Sequence, residues 1–243
     1  AARNFANKLW NASRFTLMNL TITECRLPKL DELRIEDRWI LSKLNTLIGE
    51  VTANLDKFEL GVALAKLYDF VWDILCDWYI ELVKPRLSDG DTVAQNVLCH
   101  VLTETLKLLH PFMPFITEEI YQALPHDCES IMISAYPTVD DTLNFPAEEE
   151  RIAALIEAIT QIRNRRAEMN VAPSKKAKLI IVSDADDIYN KETAQFFEKL
   201  ASASSVEFAD SCGDETAVQI VAPRATIFIP LGELVDFEKE RAR

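Results

Sequence analysis

The sequence predicts a mainly α-helical protein in which a helix bundle is followed by a small α/β subdomain. The chain of 243 residues contains only five glycines, and its long segments rich in Leu, Ala, Glu and Lys favour helix over sheet. Apolar residues recur at helical spacing through the first half of the chain. Short segments rich in β-branched and aromatic residues, which are typical of strands, follow from Lys178 onward.

Four long amphipathic helices are predicted in the first half, at residues 4–20, 37–55, 59–83 and 91–109. The third is expected to stop at Lys84-Pro85, because a proline cannot donate the helical hydrogen bond and disfavours helix in the residue before it. Asp91-Thr92 is a good N-terminal cap for the fourth. Four such helices predict a bundle.

After this bundle the pattern is broken by a proline-rich turn at residues 110–114, and a short fifth helix is predicted at residues 117–124. Residues 130–137 are expected to be extended. The acidic, proline-containing segment 140–150 predicts a linker, so the expected domains are a bundle at residues 1–139 and an α/β subdomain at 140–231.

The predicted α/β subdomain combines two helices with four short strands. The expected order is a helix at 148–170, a strand at 178–182, a helix at 188–200, and strands at 206–208, 218–221 and 226–229.

Composition excludes several classes of protein. No run of about 18 apolar residues and no secretory leader occurs, which argues against a membrane-spanning or secreted protein. The five cysteines are odd in number and lack a Cys-x-x-Cys pair, so no disulfide framework or zinc site is predicted and a reducing cytoplasm is expected. The net charge of -13 argues against indiscriminate binding to nucleic acid. The first residue is Ala and the last residues form a helical pattern, which indicates a piece of a longer protein.

No catalytic constellation can be assembled from the sequence. Phosphate-binding Gly-Lys-Ser/Thr, Gly-x-Gly-x-x-Gly and Gly-x-Ser-x-Gly motifs do not occur, and a di-iron bundle is disfavoured because Glu-x-x-His does not occur. His100 and Glu104 can share a helix face, where an ion pair is a simpler interpretation than a metal site. Trp39, Trp72 and Trp78 fall on apolar faces and are assigned to the core.

The first predicted helix carries an aromatic ring on its polar side. At about 100° per residue, one face gathers the apolar stripe Phe5, Leu9, Ala12, Thr16 and Leu20, with Trp10 and Leu17 at its margin. The opposite face gathers Asn4, Asn7, Lys8, Asn11, Arg14, Phe15 and Met18. Aromatic rings stack on unpaired bases, amides bind base edges and cations bind phosphates, so this face suits a single-stranded nucleic acid. A contact of Phe15 and Met18 with a second protein layer or a partner helix is the alternative.

Four segments together resemble the helical anticodon-binding domain of class I aminoacyl-tRNA synthetases. These segments are residues 4–15 (NFANKLWNASRF), 37–44 (DRWILSKL), 110–119 (HPFMPFITEE) and 130–133 (SIMI). Within that class the bacterial valyl family is most similar, through residues 162–168 (IRNRRAE), 171–173 (VAP) and 229–236 (IPLGELVD). Isoleucyl and leucyl enzymes share individual segments and remain alternatives. By this resemblance, residues 232–243 are the truncated start of a C-terminal coiled-coil arm.

The resemblance implies recognition of tRNA(Val) through its anticodon stem-loop, with no DNA or membrane partner and a monomeric state. In this family the first helix faces the anticodon loop, and Lys8 and Phe15 match its base-recognition pattern. Phe15 is expected to stack on a splayed base and Lys8 to bind a base edge or phosphate, with Asn4, Asn11 and Arg14 as further RNA-binding candidates. The family's catalytic sequences, His-Ile-Gly-His and Lys-Met-Ser-Lys-Ser, do not occur here. ATP and Mg would therefore be used by a separate catalytic domain, with no cofactor and no catalysis on this part.

Overall fold

The structure is a computed structural model that describes residues 2–172, 174–212, 216–230 and 232. The chain divides into two compact units, Ala1–Glu149 and Glu150–Arg243. The division falls inside the helix Pro146–Glu168.

The first unit is the predicted helix bundle. Its helices are α1 (Ala2–Asn19), α2 (Ile35–Asp56), α3 (Leu60–Asp69), a π-helical segment (Phe70–Tyr79), α4 (Ile80–Ser88), α5 (Thr92–Leu109) and α6 (Pro114–Ala123). Trp39, Tyr79 and Tyr121 are among its largest fully buried side chains. Trp39 is thus in the core, as predicted, whereas Trp72 and Trp78 are only half-buried.

The predicted helix stop at Lys84-Pro85 is wrong, because the helical stretch from α3 through the π-helical segment continues in α4 to Ser88. Pro85 removes a single backbone donor. The buried side chains of Val83, Arg86 and Leu87 on either side of it stabilise the continuation. The chain instead turns at Gly90, whose φ of 77° suits a residue without a Cβ.

A buried ionic cluster connects α2, α4 and α5. Nη1 of Arg86 donates to Glu36 at 2.7 Å and to Asp37 at 2.8 Å, and its Nε donates to Asp91 at 2.8 Å. Asp91 also caps α5 by accepting from the backbone N–H groups of Val93 and Ala94, as its position in the sequence predicted. Three helices are therefore held together at one guanidinium.

The protonation of this cluster is set by burial and by its excess of acids over bases. Burial, together with the charge of neighbouring Asp37, raises the pKa of Glu36. Burial also raises the pKa of Asp37, against the opposing effect of Arg86. At Asp91 burial opposes ionisation, but hydrogen bonds from Arg86 and the α5 backbone outweigh it and lower the pKa.

Residues 130–137 are not a strand, contrary to expectation. They begin with a 3₁₀ turn at Ile131–Ile133, where Ser130 caps the N–H of Met132, and the carboxylate of Glu118 accepts from Ser130 and from the N–H of Ile131. The Ile-Met-Ile composition favours a strand, but the described part of the first unit contains no strand with which it could pair. The segment predicted as a linker likewise contains a 3₁₀ turn, Asp141–Leu143, and the start of the next helix.

The second unit is a small α/β fold. After α7 (Pro146–Glu168) come β1 (Ala177–Ser183), α8 (Lys191–Leu200), β2 (Ala203–Phe208), β3 (Val218–Ala222) and β4 (Ala225–Ile229). The sheet order is β2-β1-β4-β3, with β1 parallel to β2 and antiparallel to β4. The alternating burial of β1 and β4 places Leu179, Ile181 and Ile227 in the core. The predicted fold class, a helix bundle followed by a small α/β subdomain, is confirmed.

The arm predicted at residues 232–243 lies almost entirely outside the described residues. Within the part of the chain that is described, no helix combines the length and apolar character needed to cross a membrane.

Candidate nucleic-acid interface

Helix α1 is anchored in the first unit by the stripe that its sequence predicted. Phe5, Leu9, Ala12 and Thr16 are buried, and Leu20 beyond the end of the helix is half-buried. Thr16 satisfies its hydroxyl by donating to the carbonyl oxygen of Ala12 at 2.9 Å. Burial of this stripe fixes the rotation of α1 and turns its polar face outward.

Three predicted RNA contacts lie on the exposed face of α1. The side chains of Asn4, Asn11 and Arg14 are exposed, and Phe15 is half-buried beside them. Among the described residues, none of the three polar side chains has a hydrogen-bond or ion-pair partner. Their donors and acceptors are therefore available to a ligand.

Lys8 is half-buried, and its side chain contacts other residues of the first unit. Its ammonium lies 2.6 Å from the Asp77 carboxylate and 4.0 Å from the centre of the Trp72 ring. That ring stacks on Tyr68 at 5.5 Å, and Tyr68 stacks in turn on Phe5 at 4.9 Å. A cation over an aromatic face is favourable, and an ammonium has three donors, so Lys8 keeps donors beyond the one directed at Asp77.

Phe15 has a different lysine as its neighbour. The ammonium of Lys84, on α4, lies 5.5 Å from the centre of the Phe15 ring and 2.5 Å from the Glu81 carboxylate. The sequence did not predict Lys84 as part of this site, because the predicted helix end at Pro85 placed Lys84 away from α1. The Glu81/Lys84 spacing of three residues was the available signal that both side chains share a helix face.

An apolar groove lies between α1 and α6, and Arg14 also lines it. Trp10, Leu17, Ile120 and Ala123 contribute to its lining, and its volume is about 260 Å³. Trp10 is 47% exposed, although the helix pattern placed it at the margin of the core.

Two arginines near the end of α7 bind the second unit's own backbone. Arg163 donates to the carbonyl oxygen of Leu200 at 2.6 Å, and the buried Arg166 donates to that of Lys175. Arg165 is exposed and pairs with Glu168 at 3.1 Å. These contacts give the three arginines structural roles within the second unit.

The described residues contain no group of three or more His, Cys, Asp or Glu side chains placed to hold a metal ion. Burial lowers the pKa of His100, which favours its neutral form, and Glu104 on the same helix pairs with Lys107 at 2.7 Å.

Comparisons with known proteins identify the family. The family described as "Anticodon-binding domain of tRNA ligase" matches residues 37–181. The whole chain is 52% identical to part of the valine--tRNA ligase of Clostridium acetobutylicum and 46% identical to part of that of Carboxydothermus hydrogenoformans. In both cases it spans 28% of the relative's length, in the C-terminal region. A LeuRS of Agrobacterium radiobacter, solved in a ternary complex with tRNA and LeuAMS, matches with a TM-score of 0.46 and 23% identity, over 60% of this chain and 17% of that one.

The family match covers more than half of the chain, so the chain belongs to the anticodon-binding domains of tRNA ligases.

Proposed function

We propose that this chain recognises the anticodon stem-loop of tRNA(Val) through the polar face of α1, as the anticodon-binding region of a cytoplasmic valine–tRNA ligase. Membership of the anticodon-binding family supports tRNA as the partner. Identities of about 50% to valine--tRNA ligases, over the full chain, support valine over isoleucine and leucine. Activation of valine with ATP belongs to the remaining length of such a ligase.

The main observation behind this proposal is that a half-buried aromatic ring and exposed polar side chains lie on one side of α1. Phe15 is partly accessible, and Asn11 and Arg14 near it in sequence have no partner among the described residues. A base that leaves the anticodon stack would rest on the Phe15 ring, while an amide binds its edge. Arg14 and Lys84 supply positive charge for the adjoining phosphates.

The ammonium of Lys8 is less free to bind RNA than the sequence indicated, because it already contacts Asp77 and Trp72. Asp77 and Trp72 hold its ammonium in one position, which lowers the entropy lost when it binds a base edge or phosphate. The 48% exposed carboxylate of Asp77 can accept from a base amino group at the same place. Lys8 and Asp77 therefore offer a donor and an acceptor side by side.

The acidic charge of the whole chain limits the strength of binding. A net charge of -13 repels phosphates at long range, so affinity must come from local contacts on α1. We expect this chain alone to bind as a monomer and weakly, with further affinity supplied by other domains of the ligase.

The test is titration of the chain with a labelled tRNA(Val) anticodon stem-loop, followed by fluorescence anisotropy. Loss of one base stack costs about 1–3 kcal/mol, so Phe15→Ala should weaken binding by roughly 5-fold to 150-fold. Trp10→Ala is the matched control, because Trp10 is an exposed aromatic on the same helix, about 140° away around its axis. Equal affinities for the wild type, Phe15→Ala and Lys8→Ala would show that the assigned face is wrong.

The alternative function, a docking surface for a partner helix, predicts a different salt dependence. Met18 is 75% exposed close to Phe15, which is compatible with an apolar contact. RNA binding weakens steeply with added salt because counterions are released from phosphates, whereas apolar docking does not. Stem-loop binding that is insensitive to salt would therefore contradict the RNA proposal.

A further inference from the structure

An exposed apolar surface lies at the end of the bundle where α2 passes into α3. The side chain of Phe58 is 88% exposed, and those of Leu60, Val62 and Leu64 are 54%, 46% and 37% exposed. Single exposed apolar side chains are common on soluble proteins, but four large ones within seven consecutive residues are typical of an interaction surface. These four residues form the α3 surface.

The backbone of Phe58 is held in a conformation that phenylalanine disfavours. Its φ is 58°, in the left-handed region. Phe58 ends α2 as a glycine usually does, because its N–H donates to the carbonyl oxygen of Leu55 at 2.9 Å and the N–H of Glu59 donates to that of Asn54 at 2.8 Å. A residue with a Cβ is strained there, and the exposed ring gains little from packing within the bundle. A ring that is both strained and exposed indicates a contact outside the bundle.

The exposed side of α3 is the side that faces α1 farther along the helix. Tyr68 stacks on Phe5 of α1, with 4.9 Å between the ring centres. A methyl group at Gly61 would have no atom within 4 Å, so the space beside it is open. Four exposed residues lie within about 80° of Tyr68 around the α3 axis: Leu60, Gly61, Leu64 and Ala65.

Helix α1 begins too late to cover this side of α3. It runs parallel to the helical stretch from α3 to α4, because Phe5 lies against Tyr68 and Phe15 lies against Lys84. Leu60 lies about 12 Å before Tyr68 along α3, whereas α1 begins only three residues before Phe5. A polypeptide that leads into α1 would therefore pass along the exposed side of α3.

We propose that the α3 surface is the docking site for the part of a valine–tRNA ligase that precedes this chain, an inference that rests on the proposed function. The chain spans 28% of the length of its valine--tRNA ligase relatives, in their C-terminal region. Most of such a ligase therefore lies on the side of the sequence from which α1 is entered. An apolar segment of this preceding part covers Leu60 and Leu64, and the ring of Phe58 packs against it, which removes apolar surface from water.

The test compares this chain with the complete ligase that contains it, by hydroxyl-radical footprinting without tRNA. The radicals oxidise accessible side chains, and mass spectrometry gives the rate at each residue. In the ligase, the modification rates of Phe58 and Leu60 should fall roughly tenfold relative to this chain, because both side chains become buried in an interface. Met18, which is 75% exposed on the polar face of α1, is the internal control and should react equally in both.

The variant Phe58→Gly separates docking from folding. Glycine adopts the left-handed backbone of residue 58 without strain, so this chain should keep its urea midpoint or gain a higher one by tryptophan fluorescence. In the complete ligase the same change removes the docked ring, so the modification rate of Leu60 should rise towards its value in this chain. Phe115→Ala, which removes an 89% exposed ring from α6, should leave Leu60 protected.

Two outcomes would overturn the proposal. Equal modification rates of Phe58 and Leu60 in the chain and in the ligase would show that no part of the ligase covers this surface. Protection that develops in this chain alone as its concentration rises would assign the surface to a second copy instead. The stem-loop titration involves neither residue, so a failure of docking can be distinguished from a failure of RNA recognition.

Discussion

Replacing Arg86 by methionine should unfold the helix bundle at much lower denaturant concentration. Arg86 is 5% exposed and is the shared partner of Glu36, Asp37 and Asp91. Methionine has a similar length but no donor. Glu36 and Asp37, which are 1% and 0% exposed, would lose their counter-charge within the bundle.

The expected loss of stability follows from this geometry. Removing one partner of a buried ion pair costs about 3–5 kcal/mol, because the remaining charge is neither solvated nor compensated. With a denaturant slope of about 2 kcal/mol per molar urea, the unfolding midpoint should fall by roughly 1.5–2.5 M. The control is Arg26→Met, since Arg26 pairs with Glu24 on the surface and such pairs contribute only about 0–1 kcal/mol.

Tryptophan fluorescence is the appropriate assay for this change. All four tryptophans, Trp10, Trp39, Trp72 and Trp78, lie in the first unit, so their emission reports unfolding of the bundle without a signal from the second unit. Coincident urea midpoints for Arg86→Met and Arg26→Met would refute the reasoning, because they would show that the cluster does not hold the bundle together.

The remaining predictions concern pH, one turn and the second unit. The raised pKa of Glu36 means that its proton stabilises the fold at low pH and that this stability is lost as pH rises through the native pKa. Glu36→Gln mimics the protonated form of Glu36. In urea titrations the variant should be as stable as the wild type near pH 4 and more stable than the wild type towards pH 8. A variant that becomes less stable than the wild type as the pH rises would contradict this prediction. Gly90→Ala should destabilise the bundle by about 1 kcal/mol by fluorescence, because the φ of 77° strains an alanine. Tyr189→Phe removes the 2.7 Å hydrogen bond to the carbonyl of Pro223 and should destabilise the second unit by about 1 kcal/mol in thermal circular dichroism, leaving tryptophan fluorescence unchanged.

Much of the fold could be predicted from sequence because the decisive signals are local. The cap at Asp91 and the stripe of Phe5, Leu9 and Ala12 depend on spacing within one helix, and both are confirmed. Pro85 shows where local reasoning fails. Its local preference for ending a helix is outweighed by the burial of Arg86 against α2 and α5, which no short-range pattern reveals.

The candidate site was predictable in its exposed part but not in its partners. The helix pattern alone placed Asn4, Asn11 and Arg14 on the outward face. The partner of Lys8, Asp77, is 69 residues away in sequence, and Lys84 approaches Phe15 from another helix. Such contacts depend on how α1 packs against the π-helical segment and α4, and they appear only once the bundle is assembled.

Chemical footprinting of full-length tRNA(Val) tests the central claim most directly. If the polar face of α1 meets the anticodon, the chain should protect the anticodon loop bases from modification, and Phe15→Ala should remove that protection while Trp10→Ala preserves it. Protection confined to other parts of the tRNA, or protection of the loop that persists in Phe15→Ala, would contradict the account.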